Sequence, residues 1–256
     1  MPVFARTKAR SHILFRVLAT HRTVLGSRPL SQRRWIARTT IVIRTGECKS
    51  IGPRAAAQAP RHERRLRRRP AGSTPKPAET AYFSRMRSFE FCLPTKGIAV
   101  PDGPNWLHEV KYDGYRLRLE RENDRVRLIT RGGYNWASRY PWIVEAVRKV
   151  RQTRFVLDGE AVVLGVDGVS DFNALHSRKH DHEVQFCAFD ILTEGSDDLR
   201  MLPLSLRKTN LARLLARRPE GVFINPFERG ELGPDLFRAA RNMGLEGLVS
   251  KRRDRP

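Results

Sequence analysis

The feature that most constrains the fold is a period of two. The segments WLHEVKY (106–112), YRLRLER (115–121) and RVRLITR (125–131) alternate apolar and polar residues. A strand sends successive side chains to opposite faces, so this alternation predicts three half-buried strands. Asn123 and Asp124 lie between the second and third, where a chain reversal is expected. RFVLDGEAVVLGVDGVSDF (154–172) predicts two strand segments folded at Asp167-Gly168, VQFCAFDIL (184–192) a buried strand, and LEGLVSK (245–251) a last one. Helical spacing marks 138–151, with Pro141 in its first turn, then the short 172–178, the amphipathic 204–218, and 234–244 ending at Gly244. Strands outnumber helices and many are joined by hairpins. The expected class is therefore antiparallel α+β, not a doubly wound parallel sheet.

Charge divides the chain. Residues 1–88 carry 21 Lys and Arg against three acids, whereas residues 89–256 carry 28 against 24. The excess of +22 is thus mainly a property of the first third. The run APRHERRLRRRPAGSTPKPAET (59–80) combines an arginine block with Pro, Gly, Ser and Thr, and it has no apolar face. Residues 1–88 are expected to be a basic, largely disordered extension and linker. A domain spanning 89–256 comes next, with its boundary near Arg85–Phe91. A basic extension favours polyanions through counterion release but says nothing of catalysis. The early apolar runs are broken by arginines, against a secretory signal, and no run of 18 apolar residues exists to cross a membrane. Cys48, Cys92 and Cys187 are odd in number and widely spaced, which fits neither a disulfide framework nor a zinc site.

Against this background Lys111 stands out. It sits in a strand-like run and is followed at once by Asp113 and Gly114. An unshifted lysine is a nucleophile in only about one molecule in 2,000 at neutral pH. Burial, a neighbouring cation or a metal can raise that fraction. Alone the motif is weak, because an edge-strand lysine before a turn is common. Three more acids stand at apolar strands: Glu160 inside FVLDGEAVV, Asp190 after FCAF, and Glu246 at the head of EGLVSK. Buried carboxylates are costly unless paired or holding a metal. Their grouping with lysines suits a divalent cation and a phosphate chain as well as it suits a structural ion-pair network. His180-Asp181-His182 lies in a charged, turn-like segment and reads as solvent-exposed, not as a metal site.

The series EVKYDGYRLRL, TRGG, LDGEAVV, FCAFDIL and EGLVSKR, in this order, resembles the ATP-dependent DNA ligases. The likeness is greatest to the ligase module of bacterial end-joining ligase D-type proteins, and it runs from about Cys92 to the last residue. The resemblance implies a nucleotidyltransferase adenylation fold, with ATP-grasp-like antiparallel sheets and flanking helices. It implies ATP and Mg²⁺ or Mn²⁺ as cofactors, and nicked or broken double-stranded DNA as the partner, in repair or recombination. Lys111 would attack the α-phosphate, forming lysyl-AMP and releasing pyrophosphate. Glu109 would accept from the adenine amino group, and Phe189 would stack on the ring. Arg116 and Arg131 would hold ribose and phosphate oxygens. Glu160 and Glu246 would position ribose and metal, and Lys251 would face the phosphates. A bacterial cytoplasmic, nucleoid-associated location, without a membrane, goes with that role.

The family continues past EGLVSKR to a W-x-K-x-K strand and an OB-fold domain, neither of which this sequence contains. Self-adenylation by this chain alone is therefore expected to be impaired and nick sealing negligible, unless a separate chain supplies the OB-fold. Two readings compete: a truncated remnant that only binds nucleotide or DNA, and a related RNA ligase or capping-type nucleotidyltransferase.

Overall fold

The computed structural model describes residues 40–44, 89–217 and 219–256. The alternating segments form the centre of two sheets. In the first, β3 (Trp106–Lys111) lies between β10 (Phe227–Arg229) and β11 (Gly247–Arg252). Beyond β11 come β1 (Thr40–Arg44) and β2 (Thr95–Lys96), giving the order β10-β3-β11-β1-β2. In the second, β4 (Tyr115–Glu122), β5 (Arg125–Thr130), β6 (Arg154–Val162), β7 (Gln185–Glu194) and β8 (Asp197–Asp198) run in the order β5-β4-β6-β7-β8. The short β9 (Val222–Ile224) pairs with β7.

Among the described residues the antiparallel expectation holds for every strand pairing except β1 with β11 and β7 with β9, which are parallel. The turn at Asn123-Asp124 is where the pattern places it, with Asn123 at φ 54°, a conformation asparagine tolerates better than most residues. The hairpin at Asp167-Gly168 is present but small. After Val162 its second arm is held by an isolated bridge, Leu164 to Ser170, so it adds no full strand.

Among the described residues four helices flank the sheets: α1 (Pro141–Arg148), α2 (Phe172–Ser177), α3 (Leu204–Leu214) and α4 (Gly233–Asn242). Pro141 begins α1, where its missing N–H costs nothing, and the Asp171 side chain caps α2 by accepting from Ala174 N. Past the end of α1, the buried Arg121 donates to the carbonyls of Val147, Val150 and Gln152, at and beyond the helix end where carbonyls lack helical partners. One apolar cluster joins Leu117, Leu119, Leu128, Phe155, Leu157 and Ile191 of the second sheet to Ile143 and Val147 of α1 and Leu211 of α3. A second joins Val110, Leu248 and Leu236 of α4 to Val162.

Within the segment expected to be largely disordered, Thr40–Arg44 is a strand, paired from Thr40 opposite Gly247 to Arg44 opposite Lys251. Its sequence, TIVIR, has four consecutive β-branched residues and no charge before Arg44, unlike the arginine block further on. The remainder of 1–88, and with it the expected extension and its boundary near Arg85–Phe91, lies outside the described residues.

Candidate active site

Lys111 ends β3, and the backbone then crosses from the first sheet to the second through Tyr112, Asp113 and Gly114. Asp113 N donates to Ser170 Oγ at 2.9 Å, tying this crossing to the small hairpin. Gly114 lets the backbone come close to β6, because a Cβ there would run into the Ala161 carbonyl and the Glu160 and Val162 side chains.

Register then brings acids to Lys111. Gly247 of β11 lies opposite Lys111, so the preceding residue, Glu246, arrives beside the amine, and Lys111 Nζ donates to Glu246 Oε1. The other oxygen, Glu246 Oε2, is buried with no hydrogen-bond partner. Across the crossing, Arg116 lies opposite Glu160 in the β4–β6 pair. Burial pushes the Glu160 carboxyl up to about 8, reinforced by Asp158 and Glu246 and opposed by Arg116 and Lys111. Burial also raises Glu246, with the Lys111 contact opposing and Asp113 adding to it. Two carboxyls that resist ionisation, one with an orphaned buried oxygen, are a donor set that a divalent cation would satisfy. Among the described residues no group of three or more His, Cys, Asp or Glu side chains forms a ready-made metal cage. Substrate or water oxygens would have to complete the coordination.

The arginines divide. Arg116 makes a two-pronged ion pair with Asp158, at 2.7 Å for both contacts, and its guanidinium lies 4.4 Å from the centre of the Phe189 ring. Arg131 is exposed on the turn after β5, one residue past Thr130, which pairs with Leu117.

Glu109 is not the solvated strand charge that alternation alone would allow. It is 1% exposed and holds two ammonium groups, Lys208 Nζ at 2.7 Å on Oε1 and Lys251 Nζ at 2.8 Å on Oε2. Burial opposes its ionisation, but the two lysines outweigh that and keep its pKa below the usual value. Lys251 Nζ also lies 4.4 Å from the centre of the Phe189 ring. Arg116, Phe189, Lys251 and Glu109 therefore form one run of contacts, Lys111 pairs with Glu246, and Glu160, opposite Arg116 on β6, feels the charges of both groups; Arg131 stands exposed on the turn after β5.

Three members were not found from sequence. Lys208 lies on α3, whose buried residues are Leu204, Arg207, Lys208 and Leu211. That is the 3–4 spacing of a helix stripe, and two cations occupy its middle. Asn225 joins β9 in the second sheet to β10 in the first. Its Nδ2 donates to Glu109 Oε2 and to the Val110 carbonyl, both at 3.2 Å, while its Oδ1 is buried without a partner. Asp158 anchors Arg116. The stripe positions of α3 were legible. Nothing local marked Asn225.

Asp190, one of the acids noted at an apolar strand, is engaged elsewhere. Arg207 of α3 grips both its oxygens, at 2.8 and 3.1 Å, with both side chains at most 2% exposed. His182 is 76% exposed within the short 3₁₀ turn Asp181–Glu183.

A family model described as ATP dependent DNA ligase domain matches residues 92–256, and the chain belongs to that family. Among named relatives, the multifunctional non-homologous end joining protein LigD of Pseudomonas aeruginosa is 35% identical over 158 residues, 60% of this chain and 19% of the relative. The LigD protein of Mycobacterium tuberculosis strain H37Rv is 36% identical over 165 residues, 63% of this chain and 21% of that protein. A solved mycobacterial DNA ligase D complexed with ATP and MES shares the fold, with a TM-score of 0.54 and 33% identity over 62% of this chain and 52% of that one. The chain thus spans about a fifth of the length of these two LigD relatives. The α+β nucleotidyltransferase reading of the sequence and the recognition of an end-joining ligase module both hold. Among the described residues, no helix is long and apolar enough to cross a membrane.

Proposed function

We propose that this chain carries the ATP-dependent adenylation chemistry of a DNA ligase, with Lys111 as the nucleophile. The observation that supports this best is the contact of Lys111 Nζ with Glu246 at the seam of the two sheets, with Glu160 close enough to feel its charge. The amine must lose a proton before attack, and Glu246 is the nearest acceptor. Its nitrogen lone pair then forms a bond to the α-phosphorus of ATP as the bond to the β-phosphate oxygen breaks. Pyrophosphate leaves, and AMP stays on Lys111 as a phosphoramidate. A DNA 5′-phosphate oxygen next displaces Lys111 from that phosphorus. A 3′-hydroxyl finally attacks the activated 5′-phosphate, loses its proton and expels AMP.

Glu160 and Glu246 would hold Mg²⁺ or Mn²⁺, which when bound supplies positive charge to the phosphate oxygens. Phe189 would take the adenine ring on its face, Glu109 would accept from the amino group, Arg116 and Arg131 would hold ribose and phosphate oxygens, and Lys251 would meet the phosphates. Positioning and fixed charge dominate such transfers. The partner is nicked or broken duplex DNA, in repair or recombination inside a bacterial cell.

The test is incubation with α-labelled ATP and Mg²⁺, followed by detection of protein-bound AMP. Labelling that is lost in Lys111→Ala, and is not given by labelled GTP, supports the proposal. Labelling that survives in Lys111→Ala refutes it. The rate also decides whether the impaired adenylation expected from the sequence is real.

A further inference from the structure

We infer that Lys208 is a positioning residue whose task is to keep Glu109 paired when Lys251 leaves it for the phosphates of ATP. This deepens the function proposed above and rests on Lys251 serving the phosphate chain.

Glu109 stands at the centre of a buried cluster. It is a single carboxylate with two ammonium partners, and all three side chains are at least nine-tenths buried, at 1% for Glu109, 1% for Lys208 and 6% exposure for Lys251. One cation would neutralise it. The second is not needed to neutralise Glu109, so one lysine can pass to another anion while the other stays. Only one of the two lysines lies against Phe189, the ring proposed to take adenine. Lys251 Nζ touches Glu109 Oε2 and lies against the Phe189 ring, on which Arg116 also rests. Lys208 Nζ touches the opposite oxygen and lies 5.1 Å from the centre of the Phe227 ring on β10.

Without Lys208, any movement of Lys251 toward phosphate would strip a buried carboxylate of its cation. Lys251 would then be held back by the full strength of a buried ion pair. With Lys208 in place, Glu109 stays ionised and paired throughout, its amide contact from Asn225 is undisturbed, and Lys251 can exchange one anion for another. Lys208 touches no nucleotide atom in this scheme. It acts through Glu109.

The test is the ratio of ATP to adenosine affinity, measured by calorimetric titration of the full chain in Mg²⁺. Adenosine uses the base contacts but not Lys251. In Lys208→Met the ratio should fall about tenfold or more, the scale of a lost charge-assisted contact. Lys208→Arg should keep the wild-type ratio. In Lys208→Met combined with Glu109→Gln the ratio should recover, because a neutral amide no longer detains Lys251, even though both affinities drop with the altered base contact. An unchanged ratio in Lys208→Met overturns the inference. So does a ratio that falls and does not recover in the double variant, which would mean that Lys208 meets the phosphates itself. Should Lys208→Met fail to fold, Glu109→Gln alone decides: a ratio at or above wild type supports the exchange, and a lower one refutes it. Absence of lysyl-AMP in the wild-type chain would count against the proposed function, while the affinity ratio would still report on the two lysines.

Discussion

The ammonium of Lys208 on α3 lies 2.7 Å from Glu109 Oε1 on β3, and both side chains are 1% exposed. This contact fastens a helix to the strand that ends in Lys111, so it bears on stability as well as on the site. Removing the acid from a buried cluster leaves its cations uncompensated. Glu109→Ala should therefore destabilise the protein by about 3–5 kcal/mol. Glu109→Ala with Lys208→Met should cost less than Glu109→Ala alone, because one of the two stranded ammonium groups is then gone. Urea denaturation of the three proteins checks the order, and a double variant no more stable than the single would contradict it.

The Arg207–Asp190 pair makes a separate prediction. Arg207 follows Leu204 on the buried stripe of α3 and grips both oxygens of Asp190 on β7. Asp190→Asn should lower stability by several kcal/mol, on the order of the cost of breaking a buried pair. It should leave the Mg²⁺ dependence of adenylation unchanged, because the carboxylate is occupied by Arg207. A shifted Mg²⁺ requirement would show that Asp190 belongs to the metal site after all.

Glu160 predicts a pH dependence. In the folded chain its carboxyl is pushed up to about 8 from an ordinary value of 4.5. Between those values the folded state holds a proton that the unfolded state has released, so stability falls as pH rises through that window. Glu246 is shifted in the same direction, whereas the lowered pKa values of His108 and Glu109 act in the opposite sense. The difference between wild type and Glu160→Gln isolates Glu160. Thermal melts without nucleotide or metal should show wild type losing more stability than Glu160→Gln between about pH 5 and 8. Added Mg²⁺ should shrink that difference if the cation binds there, and parallel pH curves without metal would rule out the raised pKa.

Gly114 predicts a steric cost. A methyl group there would meet the Ala161 carbonyl, a backbone atom that cannot turn aside. Gly114→Ala should destabilise by about 1–3 kcal/mol, the usual scale of overpacking. It should also slow AMP labelling by more than the loss of folded protein explains, because Lys111 lies just ahead of the crossing that must shift. Labelling that tracks only the folded fraction would uncouple the glycine from the site.

Much of the fold was legible along the chain because strands and helices repeat with short periods. Alternation over 106–131 marked three strands, and β11 and α4 end close to where their apolar patterns end. The short β2, β8, β9 and β10, of two or three residues each, are too brief for any period to show. β1 was hidden by its setting, five residues within a strongly basic stretch.

The sequence by itself determined the class of fold, the family and the position of the lysine, because motif order and residue periodicity are properties of the chain. The tertiary structure alone decided which charges meet. Lys208 reaches Glu109 and Arg207 takes Asp190 because α3 lies against β7 and the two sheets close at Gly114, and Arg116 takes Asp158 because β4 pairs with β6. An ion pair depends on distance and burial, and neither is a function of separation along the chain.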